Sequence, residues 1–163
     1  ALALAPVGAW IAVKGGTMAE LFQLLPLGQS LLLPVVLGIS VVFWLIGFDI
    51  IYAMQDFEFD RQHGLRSLVT AWGPKNALTA AFLSHMIMLG LILLFGILLK
   101  MTVAFPIGWL IILFCLAFEH WLARKRSLSW INTSFFKLNA LISSVFLFVV
   151  ATEILFPFFR RIQ

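Results

Sequence analysis

Residues 31–52 read LLLPVVLGISVVFWLIGFDIIY and contain one charged residue, Asp49, near their end. About 20 consecutive apolar residues form a helix long enough to cross a bilayer, so this stretch is predicted to be a transmembrane helix. The whole chain has the same character, because 63% of its 163 residues are hydrophobic and only 11% are charged. A soluble domain carries about 25% charged residues, so the composition excludes that class.

Three other stretches are long and apolar enough to cross a bilayer. Residues 76–99 and 101–118 carry no Asp, Glu, Lys or Arg, and residues 138–159 carry only Glu153. Together with the first stretch, they predict four transmembrane helices. We therefore expect an all-α fold, a multi-spanning transmembrane helical bundle.

The N-terminal segment, residues 1–13, is apolar but too short to span a bilayer, and it lacks the basic start of a signal peptide. We expect it to be the last part of a helix, so that the chain is the C-terminal half of a longer domain. No internal repeat or linker is visible. Residues 1–163 are therefore predicted to form a single membrane domain.

The distribution of basic residues predicts the orientation. The two polar loops expected at residues 53–75 and 122–137 lie on the same side of the membrane. They hold seven of the 11 Lys and Arg residues: Arg61, Arg66, Lys75, Arg124, Lys125, Arg126 and Lys137. Basic loops stay in the cytoplasm, so both loops are predicted to be cytoplasmic, with the chain in the bacterial inner membrane. The positive charge reflects topology and lipid headgroup contacts, and there is no nucleic-acid-binding motif.

Four of the seven acidic residues lie in one segment, residues 49–60, which reads DIIYAMQDFEFD. If the preceding helix continues at about 100° per residue, Tyr52, Asp56 and Asp60 share one stripe with Asp49, whereas Glu58 points to the opposite side. Like charges one turn apart repel each other, and a bound cation relieves that repulsion. Mg²⁺ suits such a stripe, because it takes one or two protein carboxylates together with substrate phosphate oxygens.

The alternative interpretation of this segment is a solvated helix end. A solvated end is expected to mix both signs of charge, whereas the first basic residue here, Arg61, follows all four acidic residues. The spacing therefore favours a site for a metal ion and a phosphate group.

The same segment resembles the second aspartate-rich motif of the UbiA superfamily of membrane prenyltransferases, D-x-x-Y-A-x-x-D-x-x-x-D followed by Gly and by a basic residue before Ser. The matching positions are Asp49, Tyr52, Ala53, Asp56, Asp60, Gly64, Arg66 and Ser67. The start of the chain also resembles the family's fifth helix. The chain would then comprise helices five to nine of a nine-helix prenyltransferase fold, and it looks closest to the 4-hydroxybenzoate polyprenyltransferases and their menaquinone-pathway relatives.

The resemblance implies an enzyme that uses Mg²⁺ to transfer a polyprenyl group from its diphosphate to an aromatic acceptor, such as 4-hydroxybenzoate, in quinone biosynthesis. Asp56, Asp60 and Asp49 would bind the metal, and Arg66 and Arg61 would bind the diphosphate. The implied catalytic residues are Asp49, Tyr52 and Arg66. The family's first motif, N-D-x-x-D-x-x-x-D, is absent from residues 1–163. The resemblance therefore also implies that this chain alone is not catalytically competent.

Two other functions were considered. A transporter or channel subunit with a cytoplasmic, cation-binding acidic mouth is the non-enzymatic alternative, but it would be expected to place acids near the midplane of several helices. The CDP-alcohol phosphotransferases also use membrane aspartates and a metal, but their D-x-x-D-G-x-x-A-R pattern does not occur here.

The remaining polar residues are expected to have structural roles. His63 is interpreted as a solvated loop residue and His85 as hydrogen-bonded to a neighbouring helix, while Glu119 and His120 are expected to reach interfacial water at a helix end. Glu153 is expected either to snorkel or to make a hydrogen bond between helices. Three residues in or just after the second loop could border the site: Asn132, Lys137 and Asn139.

Overall fold

The computed structural model describes residues 2–14, 31–125 and 128–156, with side chains from residue 135 onwards in the last range. A short 3₁₀ turn, Leu2–Leu4, leads into the first helix. The helices are α1 (Ala5–Lys14), α2 (Leu32–Ala53), α3 (Phe57–Gln62), α4 (Leu68–Leu98), α5 (Ala104–Arg124) and α6 (Leu128–Leu155). The described residues contain no β-strand.

Four helical segments are long and apolar enough to cross a membrane: Leu32–Ala53, Leu68–Leu98, Ala104–Arg124 and Phe135–Leu155. They confirm the predicted all-α, multi-spanning architecture. The first predicted span, residues 31–52, differs from α2 by one residue at each end. The predicted end of the last span, at residue 159, lies outside the described residues.

The two predicted polar loops are shorter than expected, because helices occupy part of each. Helix α4 begins at Leu68 and α6 begins at Leu128, so both helices extend beyond their apolar stretches. Helix α4 is interrupted at Gly73, whose φ of 79° and ψ of 153° are not helical, and Pro74 follows directly. Proline lacks a backbone N–H and fits the first turn of a helix, so a new helical segment begins there. The start of the span was predicted at residue 76 because Lys75 is the last charged residue before the apolar stretch, which lies just after this break.

Small side chains bring α2 and α4 close together below the acidic segment. Ala77 and Ala81 of α4 are fully buried in a cluster that also contains Ile50 and Ile51 of α2. Small residues let helix backbones approach closely, which is the usual way in which helices pack within lipid. The end of α2, which carries Asp49 and leads into the acidic segment, is therefore fixed against α4.

Glu153 is a buried acid in the last span with a structural role. Its carboxylate accepts hydrogen bonds from the backbone N–H groups of Thr102 (3.1 Å), Ala104 (3.0 Å) and Phe105 (3.2 Å). These groups lie at the N-terminus of α5, where backbone N–H groups have no partner within the helix and the helix dipole favours negative charge. The predicted hydrogen bond between helices is confirmed, and Glu153 is only 3% exposed, so it does not snorkel.

Candidate functional site

The acidic segment does not form one continuous helix. The prediction that Asp49, Asp56 and Asp60 share one stripe of a single helix is therefore wrong. Helix α2 ends at Ala53, and α3 begins at Phe57. Between them, the N–H of Gln55 bonds to the carbonyl of Tyr52 (3.0 Å), and the N–H of Asp56 bonds to that of Ala53 (3.3 Å). These bonds span three residues rather than four, so the chain is wound more tightly than an α-helix and the angle of 100° per residue does not carry across the turn.

The pairing of Asp56 with Asp60 survives this turn. The N–H of Asp60 donates to the carbonyl of Asp56 at 2.8 Å, which places the two residues one helical turn apart. Residues four apart on a helix have Cβ atoms about 5–6 Å from each other on the same face. Glu58 lies between them in sequence and falls on the other side of α3, as predicted. Asp56 and Glu58 are exposed, and Asp60 is half-buried.

Asp49 stands apart on α2, where it is exposed and lies one turn before Tyr52. Within the described ranges, no three His, Cys, Asp or Glu side chains gather closely enough to hold a metal ion together. The carboxylates of Asp49, Asp56 and Asp60 also make no hydrogen bond or ion pair with any described residue. They are therefore available to a ligand, and Asp56 and Asp60 form a pair rather than part of a trio.

Two other residues of the motif shape the loop. Gly64 adopts a left-handed conformation (φ 64°), and the next residue, Leu65, donates its N–H to the carbonyl of Asp60 at 2.8 Å. Glycine adopts positive φ without steric cost, so the chain turns back directly after α3. Ser67 then caps α4 through reciprocal hydrogen bonds with Thr70. Gly64 and Ser67, whose conformations are fixed in this way, flank Arg66, which is exposed.

The other loop residues behave as follows. Arg61 is exposed on α3. His63 is exposed, and its Nδ1 lies 2.9 Å from the carbonyl oxygen of Phe59, in agreement with the predicted solvated position. Lys137 is exposed as well, whereas the side chain of Asn132 lies outside the described part of the structure.

A hydrogen-bonded chain that the sequence did not predict lies within the membrane-spanning helices. The indole Nε1 of Trp44 donates to Oδ1 of Asn139 at 3.0 Å. The amide nitrogen of Asn139 donates to the carbonyl of Phe135 at 3.0 Å and lies 3.5 Å from Oε2 of Glu119. Glu119 is only 2% exposed, and its other oxygen has no hydrogen-bond partner among the residues that the structure describes. The expectation that Glu119 reaches interfacial water is therefore wrong.

Two buried histidines complete this group. Nδ1 of His85 lies 3.0 Å from Nε2 of His120, which confirms that His85 bonds to a neighbouring helix. The ring of His85 packs directly on Gly47, where a Cβ atom would overlap it. His120 is buried, contrary to the expected contact with interfacial water. We call this group the polar layer: Trp44, His85, Glu119, His120 and Asn139.

The polar layer lies just below the acidic segment. Gly47 precedes Asp49 by two residues, which corresponds to about 3 Å along the axis of α2. Ionisable residues inside a membrane span are costly and therefore often functional, which was the signal available in the sequence. Their partners could not be read from it, because pairing depends on which helix faces meet.

An apolar cavity of about 170 Å³ lies among the spanning helices. Its walls include Leu37, Val41 and Trp44 of α2, Met88 of α4, Ile112 of α5 and Phe146 of α6. The α2 residues precede Asp49 by five to 12 positions, so they lie about 8–18 Å along the helix from it. An apolar chain anchored at the acidic segment would reach this cavity.

Comparison with known proteins shows the family of the chain. The UbiA prenyltransferase family matches residues 1–141, and the chain belongs to that family. The 4-hydroxybenzoate octaprenyltransferase of Pseudomonas putida (strain W619) is 33% identical over 89 residues, which is 55% of this chain and 30% of that protein. The enzyme of the same name from Pseudomonas fluorescens (strain Pf0-1) is 30% identical over 90 residues, with the same shares covered. The matched region thus spans less than a third of these relatives, and no solved structure matches the chain.

Proposed function

We propose that this protein transfers a polyprenyl group from its diphosphate to an aromatic acceptor of the 4-hydroxybenzoate type, as a step in quinone biosynthesis. The observation that carries the proposal is the pair Asp56 and Asp60. The two residues lie one turn apart just after a membrane-spanning helix, and their carboxylates make no hydrogen bond or ion pair with any described residue. Membership of a prenyltransferase family and the names of the relatives support the reaction and the acceptor.

The carboxylates fit a magnesium–diphosphate complex. They are exposed or half-buried and form no ion pair with a residue that the structure describes. Mg²⁺ needs only one or two protein oxygens when phosphate oxygens and water complete its coordination. Asp56 and Asp60 would hold the metal, with Asp49 as a further ligand. When bound, Mg²⁺ supplies positive charge that stabilises the departing diphosphate. Arg66 and Arg61, exposed in the same loop, bind the diphosphate oxygens.

Transfer begins when the bond between the first prenyl carbon and the diphosphate oxygen breaks and both electrons leave with the diphosphate. The resulting allylic cation bonds to a carbon of the acceptor ring, and the proton of that carbon passes to the released diphosphate. The apolar cavity holds part of the prenyl chain away from water, which protects the cation from hydrolysis. Tyr52 lies one turn from Asp49 and lines the region in which the cation forms.

The transporter alternative has less support. Two acids do lie within the spans, but Glu153 caps the N-terminus of α5, and one oxygen of Glu119 faces the amide of Asn139. Within the described ranges, the carboxylates that have no partner are instead those of the acidic segment. We further propose that this segment faces the cytoplasm of a bacterial inner membrane, where water-soluble diphosphate is released.

The test is an assay of the full-length protein in lipid nanodiscs with labelled octaprenyl diphosphate and 4-hydroxybenzoate. We expect a prenylated acceptor in the presence of Mg²⁺ and loss of the product when EDTA is added. Absence of product with 4-hydroxybenzoate and with related hydroxylated aromatic acids would contradict the proposal. A cation flux through the protein in liposomes, without any prenyl transfer, would favour the transporter.

A further inference from the structure

Four aromatic rings join the end of α2 to α6 beside the acidic segment. The ring centroids of Phe48 and Phe135 lie 4.6 Å apart, and those of Tyr52 and Phe136 lie 6.0 Å apart. Phe48 also contacts Tyr52 (6.4 Å) and Phe136 (6.3 Å). Distances of this size are typical of attractive aromatic pairs. The four residues therefore form one cluster, which we call the aromatic cluster.

The aromatic cluster is buried on one side and open on the other. Phe135 is only 2% exposed, whereas Tyr52 is 43% and Phe136 is 52% exposed in the described structure. Asp49 lies near the open side, because it is one turn from Tyr52 and about 60° from it around α2.

The aromatic cluster is distinguished from other exposed aromatic residues of the spans by its position next to Asp49. The most exposed phenylalanines of the spans, Phe114 and Phe148, make no ring contact with any described residue. Tyr52, by contrast, contacts the ring of Phe136 and lies one turn from Asp49. Carboxylates and aromatic faces share one property, which is that both attract positive charge. The arrangement therefore suits a ligand that is apolar and becomes cationic.

We propose that Phe136 is a catalytic residue whose ring face stabilises the allylic cation, next to Tyr52. This proposal rests on the proposed prenyl transfer and identifies the residue of α6 that acts in it. As the carbon–oxygen bond breaks, positive charge spreads over the first and third carbons of the terminal prenyl unit, while both bonding electrons leave with the diphosphate. A ring face within about 6 Å of that charge attracts it through its quadrupole. Before ionisation the prenyl group carries no positive charge and gains little from the same face, so the contact favours the transition state.

The test replaces Phe136 in the full-length protein with mono-, di- and trifluorophenylalanine, which keep the ring shape and progressively withdraw π-electron density. We expect kcat for prenyl transfer to fall stepwise, by about 10-fold over the series. Binding of a prenyl thiolodiphosphate, a non-ionising analogue, should keep the same Kd throughout. The matched control is the same series at Phe114, where kcat should not change.

Each outcome decides between explanations. A flat kcat across the fluorinated series, combined with a loss of activity in Phe136→Leu, would show that the ring only packs and would overturn the proposal. A parallel weakening of analogue binding would also overturn it, because the ring would then act on the ground state. Failure of the unsubstituted protein to transfer any prenyl group would contradict the proposed function itself, which distinguishes the two failures.

Discussion

The indole of Trp44 and the side-chain amide of Asn139 are joined by a 3.0 Å hydrogen bond within the membrane-spanning helices, 95 residues apart in sequence. Trp44 is on α2, five residues before Asp49, and Asn139 is on α6. No bulk water competes for these groups inside a bilayer, so an unmade bond there leaves a costly unpaired polar group. The bond fixes α2, the helix that carries Asp49, against α6.

Replacing Asn139 by Leu should therefore destabilise the protein. Nε1 of Trp44 and the carboxyl group of Glu119 would both lose their side-chain partner, and each buried unpaired group costs about 1–3 kcal/mol. We expect a clear fall in the unfolding midpoint of the protein in nanodiscs. Ser144→Ala on the same helix is the control, because the Ser144 hydroxyl is exposed and bonds only to its own helix. Equal midpoints for the two variants would contradict the role given to Asn139.

Gly47 should not tolerate a side chain. A Cβ atom at this position would overlap the ring of His85, so Gly47→Ala should force α2 and α4 apart at a cost of about 1–3 kcal/mol. Gly90→Ala is the control, since nothing lies within 4 Å of a Cβ atom there. The double variant Gly47→Ala/His85→Ala should recover part of the loss, because the overlapping ring is gone. Additive losses in the double variant would show that the contact is not the cause.

The orientation can be tested by labelling single cysteines from each side of the membrane. The native Cys115 is buried and would be replaced by Ala. Gln62→Cys lies at the end of α3, and Val103→Cys lies in the exposed connection before α5, which is on the opposite side. Because the basic loops are expected in the cytoplasm, an impermeant maleimide added outside intact cells should label position 103 and spare position 62. The reverse pattern would overturn the proposed cytoplasmic position of the acidic segment.

The span of α2 was predictable to within one residue because the bilayer sets its length, and few residues near it are charged. The relation between Asp56 and Asp60 was also predictable, because both lie within a single helical turn. The position of Asp49 relative to that pair was not predictable, because the turn at residues 54–56 contains no glycine or proline that would indicate a break in the helix.

The polar layer could not be predicted from the sequence, for a different reason. His85, Glu119 and Asn139 are each visible as polar residues within apolar stretches, but 20 or more positions separate them. Only the packing of α2, α4, α5 and α6 determines which of them meet. The break in α4 likewise depends on Gly73 adopting positive φ, which a Gly-Pro pair permits but does not require.

The central claim is that Asp56 and Asp60 together bind the metal–diphosphate complex, and prenyl transfer by two single variants tests it most directly. Asp60→Ala in the full-length protein should lower kcat by about 100-fold or more, because one carboxylate of the pair is lost from a charge-stabilising site. Glu58→Ala removes an exposed carboxylate from the other side of the same short helix, and its kcat should stay within about two-fold of the unsubstituted protein. Near-normal turnover by Asp60→Ala, or equal losses in the two variants, would contradict the claim.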